Sequence, residues 1–360
     1  MRLKEFQEVM KDKKIDVSLL YNLDSLHSEP NMLYFSGYSG LGVFVIPAKQ
    51  KPFLIVPQME YERAALSNFS VYAWKKKTPL FEIVKKILTR KRIKVTYVGI
   101  DKTACTLDVY SGIRKRFRKS KYKDISLLLS KLRQVKTKQE ISTIKQGCRI
   151  TDLILNECFK HFKQKKFKTE SDVAAFLEFK AKKYGDVSFP PIVASGRHAA
   201  QPHYMPRNIP LKSGFCVIDF GIKYKGYCTD ITRTIYLGKP SKKEIQLYNF
   251  LLQQQEKSIQ EIKINDTGHD IYTKMIHDLG NYAKYFTHGL GHGIGVKIHE
   301  LPNVTQNSKD KFVENMIFTV EPGIYIQNKL GIRLEDDVLL TKKGPIVLTK
   351  TIKQLTIFGL

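Results

Sequence analysis

Apolar residues fall into short, alternating runs over the first third of the chain. Leu3, Phe6, Val9 and Met10 recur at helical spacing, and an apolar run over 15–21 follows them. The first pattern puts one apolar stripe on a helix, and the second suits a buried strand. Residues 36–42, Ser-Gly-Tyr-Ser-Gly-Leu-Gly, read as a turn. The runs 43–47 and 53–57 each end in proline, which cannot donate to a ladder, and both predict short strands. A helix is predicted over 59–66, and 78–92, 94–100 and 106–118 continue the alternation of helix and strand. Such alternation predicts an α/β domain with a mixed or parallel sheet. Few groups suited to catalysis lie in it, and no chemistry is assigned there.

Near residue 130 the pattern changes. Thr137 followed by Glu140 is a capping box, which opens a long helix over 138–163. A helix over 169–184, a strand-and-hairpin region over 189–238, and helices over 242–264 and 267–280 come next. Strands and loops are expected from 286 onward. The expected division is a first domain over 1–130 and a second over 131–360, and every dense polar cluster lies in the second.

Length agrees with two domains, since 360 residues exceed the usual single-domain size of about 150. No apolar run reaches about 18 residues, so no membrane span is expected. The charged opening Met-Arg-Leu-Lys-Glu-Phe is not a secretory signal. Five scattered cysteines without a Cys-x-x-Cys read as reduced thiols, which places the protein in the cytoplasm. Charge is the unusual feature: 61 Lys and Arg against 34 Asp and Glu give +27. Basic runs at 114–123 and 160–168 interleave aromatics, as nucleic-acid surfaces do. No nucleic-acid motif accompanies them, so a solvated lysine-rich surface is expected and nucleic-acid binding is not.

The candidate chemistry centres on 288–300, His-Gly-Leu-Gly-His-Gly-Ile-Gly-Val-Lys-Ile-His-Glu. Its four glycines disfavour a helix and suit a tight path that presents His288, His292 and His299. Upstream, Val-Ile-Asp219-Phe-Gly and Tyr-Cys-Thr-Asp230-Ile-Thr read as two strands of a hairpin. With the turn centred between Tyr224 and Lys225, Asp219 faces Asp230. A shift of two residues leaves them diagonal but on one face. Downstream, a loop centred on Asn328 sets Glu321 opposite Glu335 in strands otherwise rich in Val, Ile and Leu. Carboxylates so placed repel one another and are costly to bury unless something cationic joins them. Two Asp, two Glu and a His without thiolate suit a pair of divalent ions of the Mn, Co, Fe or Zn kind. Rival motifs fail. The glycines of 289–295 are too close for a Gly-x-Gly-x-x-Gly turn, and His299-Glu-Leu-Pro lacks the second histidine of His-Glu-x-x-His.

At these residues the sequence resembles the metallopeptidase family that holds prolidase (Xaa-Pro dipeptidase), aminopeptidase P and methionine aminopeptidase. The first part resembles the creatinase-type N-terminal domain, including the stretch Leu-Tyr-Phe-Ser-Gly-Tyr-Ser-Gly at 33–40. From Ile-Val-Ala-Ser-Gly at 192–196 to the end, the second part resembles the α+β "pita-bread" catalytic domain. The resemblance implies a dinuclear metal centre, with manganese or cobalt expected ahead of zinc or iron. Asp219 would bind one ion, Asp230 and Glu335 would bridge, and His292 and Glu321 would complete the two spheres. Glu321 would also take the proton as a bridging hydroxide attacks the scissile carbonyl. His203 and His299 would orient substrate and stabilise the oxyanion, while His288 and Arg333 would line the pocket and steady the carboxylates. Two departures stand out: His198 replaces a common asparagine, and Asn315 replaces a frequent glycine where asparagine tolerates positive φ. The implied activity is prolidase-like hydrolysis of Xaa-Pro peptides by a homodimer, with aminopeptidase P as the alternative. A non-catalytic nucleic-acid or protein-binding module on the same fold is the alternative from another class. Retention of all five ligands speaks against it.

Overall fold

A computed structural model describes residues 2–23, 29–75 and 78–360. The chain forms two compact units, Met1–Leu132 and Arg133–Leu360.

The strands of the first unit are β1 (Val17–Asn22), β2 (Gly42–Pro47), β3 (Phe53–Pro57), β4 (Ser70–Trp74), β5 (Tyr97–Ile100) and β6 (Lys121–Asp124). They make one mixed sheet in the order β4-β3-β2-β1-β5-β6. Helices α1 (Arg2–Asp12), α2 (Pro30–Ser36), α3 (Tyr61–Ala65), α4 (Leu80–Arg90), α5 (Leu107–Arg116) and α6 (Ser126–Gln134) accompany it. Alternation along each strand sorts the side chains. Val17, Leu19, Val43, Val45, Phe53 and Ile55 pack with Leu80, Val84 and Ile113 of α4 and α5. Leu20, Phe44, Ile46, Leu54 and Val56 pack with Phe6, Met10, Met32, Phe35 and Leu129 of α1, α2 and α6. Both faces are covered, so the strands read as continuous apolar runs. Two helices escaped the periodicity. One is α2, which starts at Pro30 and is capped by Glu29, whose carboxylate accepts from the Met32 N–H at 2.5 Å. The other is α6, which lies across the expected domain boundary and buries Leu129 and Leu132. Each is short, so few apolar positions repeat.

The second unit begins with α7 (Lys138–Lys163), where the Thr137–Glu140 capping box is complete, and α8 (Glu170–Ala181). Its strands run β7 (Asp186–Val187), β8 (Ile192–Ser195), β9 (Gly214–Phe220), β10 (Ile222–Tyr224), β11 (Tyr227–Cys228) and β12 (Ile231–Leu237). Then come α9 (Lys242–Glu261), α10 (Gly268–Leu279), β13 (Gly291–Gly293), β14 (Glu300–Val304), β15 (Ile317–Val320) and β16 (Gly323–Ile326). The chain finishes with β17 (Leu330–Arg333), β18 (Asp336–Thr341), β19 (Gly344–Val347) and β20 (Ile357–Phe358). Two sheets dominate, β20-β12-β9-β8 and β14-β13-β15-β18-β19. The first packs under α7 and α8 through Leu155, Phe159, Leu177, Ile218 and Ile235. The second packs under α9 and α10 through Leu251, Ile271, Met275, Phe318 and Val338. Asn315 takes φ +68°, so the turn before β15 is made by asparagine as expected.

One buried arginine ties the two sheets together. Arg233 of β12 donates to the Glu335 carbonyl at 2.6 Å, to Asp336 Oδ1 at 2.7 Å and to the Thr351 carbonyl at 2.8 Å. Arg233 is 1% exposed and Asp336 0%, so loss of Arg233 leaves the carboxylate with Lys353, at 3.2 Å, as its remaining cation in low dielectric. Arg233→Met should therefore destabilise the protein by roughly 3–5 kcal/mol in urea unfolding. An unchanged midpoint and slope would show that the pair holds nothing together.

Candidate metal centre

The first carboxylate pair is set by a tight hairpin. Lys225 and Gly226 both take positive φ (+49° and +84°), and Tyr224 pairs with Tyr227 around them. A two-residue turn of this hand needs positive φ at both central positions, which Gly226 supplies without strain. The hairpin is thus centred between Lys225 and Gly226, not between Tyr224 and Lys225, and Asp219 pairs with Thr232. The facing register of Asp219 and Asp230 is corrected to the diagonal one. Asp230 has left the ladder, and its N–H donates to Asp337 Oδ2 at 3.0 Å.

The second pair has the expected register. Val320 pairs with Asp336 on one side of it and Gly323 with Arg333 on the other, in one continuous alignment. Glu321 and Glu335 therefore oppose each other at a gap between named strands, where Pro322 offers no N–H. Asn328, at φ +58°, sits at the centre of the connecting turn.

His292 enters from β13 between two glycines. A Cβ on Gly291 would lie 2.0 Å from the Thr319 carbonyl oxygen, and one on Gly293 would lie 2.1 Å from that of Leu301. Neighbouring strands can close on the histidine only because those side chains are absent. His292 Nε2 lies 3.7 Å from Asp230 Oδ2 and 3.5 Å from Glu321 Oε1. Asp230, His292 and Glu335 each present a ligand atom within 4.8 Å of the others. Asp219 stands beside them, and its Oδ2 accepts from Arg333 at 2.6 Å.

All nine residues singled out from the sequence line one cavity of about 450 Å³: His203, Asp219, Asp230, His288, His292, His299, Glu321, Arg333 and Glu335. His299 meets His292 edge to face, with ring centres 4.3 Å apart. His288 joins Tyr325 through Nε2 at 2.8 Å, and Arg333 donates to the same hydroxyl at 2.9 Å. Arg333 also donates to Thr232 Oγ1 and to the Pro202 carbonyl.

The electrostatics of the cavity floor suit a cation. Burial, then the charge of Glu335, holds Asp230 well above the usual carboxylate range. Burial, then Glu321, does the same to Glu335, and burial pushes Glu321 up to about 8. Burial, then His299, drives His292 down to about 3, so its imidazole is neutral with a lone pair to offer. Asp219 Oδ1 and Asp230 Oδ1 are buried without a hydrogen-bond partner. Buried acceptors of that kind carry a desolvation penalty that a bound cation removes. The oxygen-rich donor set fits hard or intermediate divalent ions.

Three contributors went unnoticed in the sequence. The Thr232 hydroxyl donates to Glu335 at 2.6 Å, Thr319 Oγ1 accepts from the His292 N–H at 3.1 Å, and Tyr325 links His288 to Arg333. The one available signal was a hydroxyl in an otherwise apolar strand beside a carboxylate.

Residues 142–342 match metallopeptidase family M24, and residues 2–135 match the Creatinase/Prolidase N-terminal domain. An Xaa-Pro dipeptidase of Pyrococcus furiosus is 35% identical over 333 residues, 90% of this chain and 92% of that protein. The solved Xaa-Pro dipeptidase from Bacillus anthracis superposes with a TM-score of 0.88 at 32% identity, covering 99% of both chains. An X-Pro aminopeptidase structure from Thermotoga maritima gives 0.86 at 31% identity, over 99% of this chain and 100% of that one. A family match over more than half the chain, on a cavity with this donor set, makes the protein a metallopeptidase of family M24, with a creatinase-type N-terminal domain and a pita-bread catalytic domain.

Proposed function

We propose that the protein is a dinuclear-metal exopeptidase that hydrolyses Xaa-Pro bonds, acting as a prolidase on dipeptides, with 131–360 as its catalytic domain. The convergence of a diagonal aspartate pair, an opposed glutamate pair and a neutral histidine in one cavity, with two buried carboxylate oxygens unpartnered, carries this assignment. Likeness to Xaa-Pro dipeptidases over nine-tenths of the chain supports the substrate. Asp219, Asp230, His292, Glu321 and Glu335 would hold two divalent ions, manganese or cobalt ahead of zinc or iron. Such ions, when bound, polarise a carbonyl and lower the pKa of a water.

The chain's own groups do the rest. Glu321 lies at the cavity wall, 3.5 Å from His292, where it can accept the proton of the attacking water and return it to the leaving nitrogen. Burial, then His203, lowers the pKa of His299, which keeps that imidazole neutral and able to donate one hydrogen bond. His299 and His203 both line the cavity, where they would donate to the negative charge that develops on the carbonyl oxygen. Arg333 steadies Asp219, and His288 closes the wall through Tyr325. Aminopeptidase P activity is the second reading, favoured by the nearly equal superposition on the X-Pro aminopeptidase of Thermotoga maritima, 0.86 against 0.88.

Asp230→Asn and Glu335→Gln should each lower manganese-dependent hydrolysis of Ala-Pro by at least about a hundredfold while the circular dichroism spectrum is kept. Full turnover in either variant, or in wild-type protein stripped by chelator, sinks the two-metal reading. With wild-type enzyme, Ala-Pro alone should be cleaved. Cleavage of Ala-Pro-Ala instead identifies an aminopeptidase P, and cleavage of Met-Ala-Ser a methionine aminopeptidase.

Metal binding should also be linked to pH. Between the ordinary carboxylate value of about 4.3 and about 8, the unfolded chain has released protons that folded Glu321 retains. The folded metal-free state binds more protons in that window, so its stability contribution falls as pH rises. Divalent ions take the place of those protons. The rise in melting temperature on adding manganese should therefore grow from pH 5 to pH 8, and a pH-independent rise would contradict the assignment of Glu321 to the ion sphere.

A further inference from the structure

His203 faces the cavity from an exposed segment, 201–208, in which Tyr204 alone is buried. Its imidazole makes no hydrogen bond within the protein among the described residues, so backbone placement alone aims it. Tyr204 turns inward at 5% exposure, while its neighbours His203 and Met205 line the cavity. Consecutive side chains on opposite sides make the inward one an anchor for the outward pair.

That anchor is gripped by a buried polar cluster. Glu170, 0% exposed at the start of α8, accepts from the Tyr204 hydroxyl at 2.7 Å, from Ser195 N–H at 3.0 Å and from Ser195 Oγ at 2.8 Å. His198 Nδ1 lies 3.0 Å from the same carboxylate, and its ring stacks on Tyr204 at 4.9 Å with planes 9° apart. Arg207 Nε donates to the Tyr204 hydroxyl at 2.8 Å, and the guanidinium meets His198 Nε2 at 3.3 Å. Four hydrogen bonds hold the Glu170 pKa low despite its burial. None of these residues touches the candidate metal ligands, and a carboxylate that is 0% exposed is out of reach of substrate.

We propose that Tyr204, locked by Glu170, His198 and Arg207, is a positioning residue that aims His203 at the scissile peptide. The proposal rests on the Xaa-Pro peptidase reading for its kinetic arm only. A cluster that spans 170 to 207 converts one stiff ring into a fixed direction for the neighbouring imidazole. Misplacement of a reacting group by about 1 Å can cost up to about a hundredfold in rate. His198 is part of the grip, which gives a use to the side chain that departs from the family's usual asparagine.

Tyr204→Phe keeps the ring and removes both hydroxyl contacts. Backbone amides of 201–208 should then exchange with deuterium about tenfold faster, with those of 288–300 unchanged and manganese stoichiometry the same as wild type. On the Xaa-Pro substrate kcat should fall about tenfold with KM little altered. In a His203→Ala background the same change should cost less than about twofold, because the two residues act as one unit. Glu170→Gln should reproduce the exchange pattern; should it fail to fold, Tyr204→Phe decides the matter alone. Unaltered exchange over 201–208, loss of metal, or additive kinetic losses in the double variant would each overturn the proposal. Should wild-type protein cleave no Xaa-Pro peptide, the substrate assignment falls, and the exchange and metal arms still judge Tyr204.

Discussion

Four carboxylates share one buried cavity wall, and their mutual repulsion is the constraint that orders the catalytic half. Asp230 is 5% exposed and Glu335 2%, and burial, followed by Glu335 for the first and Glu321 for the second, holds both well above the usual carboxylate range. Local partners answer only part of that repulsion. Thr232 satisfies one oxygen of Glu335, and Arg333 pairs with Asp219, but oxygens of Asp219 and Asp230 stay bare. Asp337 even adds a further acid behind Asp230, pushed up to about 8 by its burial. Such an arrangement sacrifices stability at a local site, as functional sites commonly do. Arg233, the two sheets and the helices outside them provide the rigidity that keeps the oxygens from drifting apart.

Net charge is a poor guide to this cavity. The chain carries +27, yet the wall with the candidate metal ligands is acidic, and Arg333 beside it has its donors engaged with Thr232, Pro202, Tyr325 and Asp219. Exposed lysines are screened over about 8 Å at physiological salt, whereas groups a few ångströms apart in a dry wall are not. Short-range, low-dielectric interactions therefore set the field inside this cavity. Mean composition decides solubility and non-specific adhesion.

Backbone geometry translates residue order into ligand geometry at two turns. Moving the turn centre of the first hairpin by one residue shifts the register by two, which changes the partner of Asp219 from Asp230 to Thr232 and keeps the parity of the two acids. A shift of one would have sent one of them to the opposite face. The choice was made by Lys225 and Gly226, whose positive φ values define a two-residue turn. At the second pair, Asn328 in the left-handed region fixes the centre of the turn, and Glu321 meets Glu335.

Much of this was legible in one dimension. Strand runs at 43–47 and 53–57, the capping box at Thr137 and Glu140, and the long helix after it came out as read, because each depends on neighbours a few residues away. Short α2 and α6 did not, because so few turns leave periodicity little to repeat. The five acidic and imidazole ligand candidates picked from the sequence do meet in one cavity, since a carboxylate amid Val and Ile is costly to bury alone. Tertiary structure alone decided what surrounds them. Thr232 reaches Glu335 across 103 residues, Arg333 reaches Asp219 across 114, and Glu170 reaches Tyr204 across 34. Local sequence points to which groups are candidates for chemistry, because burying a charge is costly wherever it stands. Only folding determines which distant hydroxyl, guanidinium or ring meets each one, because hydrogen bonds are set by distance and angle between strands that the chain order does not place together.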